Sequence, residues 1–192
     1  MAAYALGFRV KSGHAIAVAL RGPVQSPVPL ARVSVALSDP SIQATKQPYH
    51  AGFGTAREDR TEVARLVAIV ERCARHSIAA LLTDDRLASS SCRGAALVVG
   101  SVIDPEQVGN PHIRAHAHEG RLFRTVLEDA LRANHVRCSV FVEKALAGEA
   151  AKHLKRPAAD VKRVVGGFAR ALGGPWRIEE KAAATAAWIA LG

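Results

Sequence analysis

Residues 110–124, NPHIRAHAHEGRLFR, hold the densest set of side chains able to do chemistry. Asn110 followed by Pro111 predicts a helix start, with Pro at the first helical position. On that helix His112, His116, Glu119 and Phe123 share one stripe, at steps of four, three and four residues. Two imidazoles and a carboxylate are ligands for a transition ion such as zinc or manganese, and also suit proton transfer near neutral pH. His50, in QPYHAG, is a further candidate ligand from a distant loop. A metal-free binding pocket of Tyr49, His50, His112, His116, Glu119 and Arg121 is a second reading. The plain alternative is a row of satisfied polar groups at a helix start, since H-x3-H here lacks the internal Glu of HExxH. His118, two positions from His116, must point elsewhere.

Other charged groups carry weaker signals. Asp84 and Asp85 are adjacent in TDDRL, and neighbours on a helix diverge by about a hundred degrees, so they read as solvated helix-end charges. Glu143 follows a strand and reads as a helix-start acid favoured by the dipole. The segment 152–170 holds Lys152, Lys155, Arg156, Lys162, Arg163 and Arg170 against Asp160 alone. It is the expected contact for a phosphate backbone, with a merely solvated basic face as the alternative. No P-loop or GxGxxG pattern occurs.

The elements that must position these residues follow from the apolar pattern. Segments 4–10 and 14–20 predict a hairpin, with Gly13 supplying the positive φ of the turn. A third strand is expected over 30–37, then an irregular connection over 38–54. A helical period begins at Thr61, followed by a loop over 86–94 and a continuous apolar strand over 95–103. The histidine-bearing helix leads to a strand over 136–142, and helices are expected over 143–154, 158–172 and 178–191. The order is β-β-β-α-β-α-β and then helices, an α/β mixed five-stranded sheet with helices on both faces. Right-handed crossovers place the fourth strand beside the first and the fifth outside it.

The totals set limits. The chain has 192 residues, 49% apolar and 22% charged, and its length suits one globular domain over 1–192. A formal charge of +9 favours a polyanionic partner. Cys73, Cys92 and Cys138 form no CxxC pair, which fits reduced thiols in a cytoplasmic protein. Arg9 comes too soon for a secretory signal, and no apolar run is long enough to span a membrane. The abundance of Ala reads as a compositional bias.

The element order resembles that of the ribonuclease H-like superfamily, and within it RuvC-type Holliday junction resolvases. The segment ALGFRVKSGHAIAVAL is similar to the opening hairpin of the family, DVKRVVGG to its Val-Lys segment before the last helix, and EEKAAATAAWIAL to that helix. The resemblance implies a nuclease whose carboxylates on the first strand, fourth strand and last helix hold two magnesium ions. The matching positions here are Arg9, Gly100, Ala182 and Thr185, and none is an acid. The leading expectation is therefore a degenerate nuclease relative that binds DNA or RNA or acts as a scaffold, with a homodimer implied by the resemblance. The rivals are an enzyme relocated to His112, His116 and Glu119, and a protein-interaction module.

Overall fold

A computed structural model describes residues 2–52, 54–87 and 90–192. Seven strands and six helices are present among them: β1 (Ala2–Lys11), β2 (His14–Arg21), β3 (Val28–Ala36), β4 (His50–Gly52), β5 (Thr55–Ala56), α1 (Arg60–Leu82), β6 (Ser90–Val99), α2 (Pro111–Ala133), β7 (Cys138–Val142), α3 (Leu146–Leu154), α4 (Ala158–Gly167), α5 (Ala169–Leu172) and α6 (Ile178–Leu191).

The main sheet has the order β3-β2-β1-β6-β7. β1 pairs antiparallel with β2, and β2 with β3, while β6 lies parallel to β1 and β7 parallel to β6. This is the expected order, and it follows from right-handed crossovers through α1 and α2. Gly13 turns the first hairpin at φ +78°.

Alternation along β1 divides the core. Tyr4, Leu6, Phe8 and Val10 enter one cluster with Val70, Ile78, Phe123 and Leu127 of α1 and α2. On the other face Ala5, Val18 and Val98 pack with Val161, Phe168, Ala183, Ala187 and Trp188 of the C-terminal helices. The period-2 geometry of a strand therefore sends Gly7 and Arg9 to the α6 side. A Cβ at Gly7 would overlap the Ala183 carbonyl oxygen and the Ala187 nitrogen, so glycine is what lets α6 approach. Trp188, fully buried, donates its indole N–H to the Val24 carbonyl at 2.8 Å.

Three expectations need correction. The fourth strand begins at Ser90 rather than Ala95, because Ser90, Ser91 and Cys92 pair with Ala2, Ala3 and Tyr4 before a bulge. It ends at Val99, and Val102 and Ile103 are exposed beyond it. Ala88 and Ser89 of the expected loop, and Phe53 of the expected irregular connection, lie outside the described residues. That connection is built rather than irregular: it holds a 3-10 turn at Gln43–Lys46 and the small β4-β5 ladder, both too short to show a period in sequence. The helix expected over 158–172 is broken at Phe168 into α4 and α5.

The Gly7 contact predicts that Gly7→Ala destabilises the protein by about 3 kcal/mol, the upper end of ordinary overpacking, because the obstructing atoms are backbone. Urea unfolding would measure it.

A second prediction concerns alkaline pH. Burial, with the Cys92 thiol beside it, pushes the Tyr4 hydroxyl from 10.0 up to about 12. Burial likewise pushes Cys138 from 9.0 up to about 12. Both groups keep their protons in the folded state at pH values where the unfolded chain has lost them, so folding loses stability as pH rises. Stability is expected to be insensitive to these groups below about pH 9 and to fall between pH 9 and 12, as read by urea midpoints across that range.

Candidate functional site

α2 forms where its caps demand. The Asn110 side chain accepts from the Ile113 N–H at 3.1 Å, and Pro111 opens the first turn. That start sets His112, His116 and Glu119 along one side of the helix. His50 reaches them from β4, and Arg57 fixes that strand. Its Nε donates to the Pro48 carbonyl at 3.1 Å, its Nη2 to the His50 carbonyl at 2.8 Å, and its backbone N–H to the Tyr49 carbonyl at 2.8 Å.

The three imidazoles His50, His112 and His116 converge, with one nitrogen of each within 4.8 Å of the others. His50 Nε2 lies 3.2 Å from His112 Nδ1. On its other side His50 Nδ1 lies 2.7 Å from Glu119 Oε1, where the carboxylate accepts the ring proton. Both partners are buried, His50 to 6% exposure and Glu119 to 2%. Burial pushes the Glu119 carboxyl up, opposed by the His50 ring and the Tyr49 main chain. His116 is held below the ordinary imidazole value by burial and by the neighbouring His50 and His112.

The sequence stripe thus forms, but Glu119 stands behind His50 rather than beside His112 and His116 as an equal ligand. Its Oε2 is 3.8 Å from His116 Nδ1. His118 points elsewhere, as the spacing required, and stacks on Tyr49 at 4.8 Å between centroids. Tyr49 therefore meets His118 and not the three converging rings. Arg121 does not join the pocket either; its guanidinium lies 3.7 Å from Asp104 and 3.8 Å from Glu106.

Arg9 occupies the middle of the sheet, opposite Ile16 on β2 and Val98 on β6. It is 7% exposed. Its Nη2 donates to Glu143 Oε2 at 2.5 Å, its Nε to Glu143 Oε1 at 3.3 Å, and its Nη1 to the Val10 carbonyl at 2.6 Å. Glu143 sits in a 3-10 turn directly after β7. It is the helix-start acid expected, and it is also the bidentate partner of Arg9, a role for which its position after the fifth strand is the only signal in sequence. Arg57 gave no signal at all, being a lone arginine in a loop.

Gly100 follows β6, while Ala182 and Thr185 face Glu143 and Lys162 across a groove on α6. Lys11 lies 3.6 Å from Glu179. Arg9, Lys11, Ser12, Gly100, His116 and Glu119 line one cavity of about 230 Å³, at the carboxyl ends of β1 and β6. Open α/β sheets place their ligands at that edge. Of the basic residues expected to face phosphate, Lys152, Lys155, Lys162, Arg163 and Arg170 are exposed on α3, α4, α5 and the α3–α4 junction. Arg156 is half-buried, donating to the Gln25 carbonyl at 2.8 Å with its guanidinium 5.5 Å from the Trp188 ring centroid.

With this geometry in view, comparison with solved structures places the fold. The chain is similar to RuvC of Thermus thermophilus in complex with a Holliday junction substrate, with a TM-score of 0.54, 12% identity, and 97% of this chain and 90% of that one covered. It is equally similar to a second Thermus thermophilus RuvC structure, with a TM-score of 0.54 and 12% identity over 97% and 92%. No family model matches the sequence, and a search of curated proteins finds no match. The chain has a ribonuclease H-like α/β fold, a five-stranded mixed sheet layered between helices as in RuvC. No helix among the described residues is long and apolar enough to cross a membrane.

The Arg9–Glu143 geometry generates a prediction. Glu143→Ala leaves a buried guanidinium unpaired and should cost about 2–3 kcal/mol, below the fully buried range because Glu143 is part exposed. Replacing both, as Arg9→Met with Glu143→Leu, removes the uncompensated charge and should restore most of that loss. Urea midpoints of the two variants against the parent provide the check.

Proposed function

We propose that this chain is a nuclease-fold domain that binds nucleic acid and does not perform two-metal phosphodiester cleavage. The observation that carries this reading is the bidentate Arg9–Glu143 pair at the carboxyl end of the central strands. Two-metal cleavage needs hard oxygen ligands free to hold dications. Here a guanidinium repels a dication and also occupies the carboxylate beside it. Gly100, Ala182 and Thr185 offer no carboxylate, and Glu179 is drawn to Lys11.

The binding half rests on charge. The net charge is +9, and Lys152, Lys155 and Lys162 project from the C-terminal helices without an acidic partner within ion-pair distance among the described residues. Arg163 is 3.4 Å from Asp160 and is a weaker candidate. That the similar RuvC was solved with a Holliday junction agrees with a polyanionic partner.

Gel shifts with a four-way junction and with duplex DNA test the reading. Retention is expected, with affinity falling steeply between about 50 and 200 mM salt. No cleavage is expected with magnesium or manganese. The triple variant Lys152→Glu, Lys155→Glu, Lys162→Glu should weaken binding and flatten the log–log salt slope by roughly 3. Magnesium-dependent cutting, or failure to bind any nucleic acid at low salt, would overturn the proposal; the second outcome would favour a protein-interaction module.

A further inference from the structure

We propose that His50, His112 and His116 form a mononuclear zinc site, with Glu119 as the positioning residue behind His50 and a coordination position left toward the cavity. This goes beyond the nucleic-acid reading and does not rest on it.

The three rings come from β4 and α2, segments separated by 62 residues between His50 and His112, and one nitrogen of each lies within 4.8 Å of the others. Ring centroids are 5.2 Å apart for His50 and His112, 4.4 Å for His50 and His116, and 4.6 Å for His112 and His116. Zinc–nitrogen bonds of about 2.0–2.1 Å in a tetrahedron put neighbouring ligand nitrogens roughly 3.3 Å apart. His50 Nε2 and His112 Nδ1 are 3.2 Å apart.

The tautomer of His50 points the same way. As a carboxylate, Glu119 can only accept from His50 Nδ1 at 2.7 Å, which in the neutral ring puts the proton on that nitrogen and the lone pair on Nε2, the nitrogen 3.2 Å from His112. A carboxylate behind a ligating imidazole is the arrangement that fixes ring orientation and raises ligand basicity in metal sites. A hydrogen bond from His112 to His50 would account for one contact, but not for the third ring facing both.

The chemistry of the set selects the ion. Three neutral imidazoles suit zinc, whereas manganese and magnesium prefer carboxylate oxygen, so the manganese expectation is set aside. Three protein ligands leave a fourth position for water. His50 is buried, His112 half-buried and His116 exposed, so the site opens along His116. His116 and Glu119 also line the cavity with Lys11 and Ser12, whose polar groups suit a small oxyanion beside a zinc-bound water.

Tag-free protein stripped with a chelator would be titrated with zinc by calorimetry and with cobalt by visible absorption. One equivalent of metal per chain is expected, with the intense visible bands of four-coordinate cobalt. His112→Ala and His116→Ala should each weaken binding by roughly 100-fold or more, and Glu119→Gln by 10–100-fold with the stoichiometry kept. Circular dichroism of the metal-free variants verifies folding, and the exposed His116 keeps the test sound if changes at buried His50 prevent folding. No saturable binding by the parent protein overturns the proposal, as does equal binding by the double variant His112→Ala, His116→Ala. Because no nucleic acid is present, this failure and failure of the gel shifts are separate results.

Discussion

The close approach of α6 to β1 is the constraint on which the remaining structure depends. A helix can lie with its backbone on a strand only where both surfaces are nearly bare. β1 supplies Gly7, and α6 supplies Ala183 and Ala187 directly above it. The other buried positions of α6 are Glu180, Ala182, Ala184, Ala186, Trp188, Ile189 and Leu191. The alanine abundance that reads in sequence as compositional bias is, on this helix, a packing requirement. Trp188 then fills the volume the small residues leave, and its indole N–H ties the helix to the loop after β2.

That contact determines what Arg9 can do. Gly7 and Arg9 are two residues apart on one strand, so they share a face. With α6 seated at Gly7, the guanidinium at Arg9 cannot spread across the sheet and turns to the end of β7, where Glu143 receives it through both oxygens. Buried charge is tolerated here because each Arg9 nitrogen has an acceptor: two go to Glu143 and one to the Val10 carbonyl. The same edge of the sheet receives α2 from the opposite face, which brings His116 and Glu119 to a cavity shared with Arg9.

How much of this is legible in sequence depends on the range of the signal. The five-strand order follows from alternation, helix length and crossover handedness, all of which are local or nearly so. The α2 stripe is legible for the same reason, since Asn110 and Pro111 set the phase of the helix and the spacing does the rest. Beyond these signals the sequence says less. His50 is separated from His112 by 62 residues, and the strand that aims it is three residues long, below the length at which a period can be seen. Arg57, which holds that strand, has no pattern around it. The pairing of Arg9 with Glu143 spans 134 residues and needs the sheet order before it can be imagined. Arg156 shows the opposite limit: its place in a basic run suggests phosphate, and nothing local tells that its guanidinium also bonds the Gln25 carbonyl and lies over the Trp188 ring.

The two faces of the sheet edge differ in how their acids are held. On the α6 face, a cation is built into the protein as Arg9, and the nearby oxygens of Glu143 and Glu179 are drawn to Arg9 and Lys11. Hard dications compete poorly for carboxylates already held in that way. On the α2 face the acid Glu119 is also held, but by His50 Nδ1, and this contact turns the opposite ring nitrogen toward His112 and His116. One kind of pairing consumes metal-binding capacity while the other directs it. A change from oxygen to nitrogen donors across roughly one strand's width would move the preference from magnesium toward zinc with no change of fold. It would also turn the open side of any such site toward the cavity at the carboxyl ends of β1 and β6, where His116 and Glu119 share a lining with Lys11, Ser12 and Gly100.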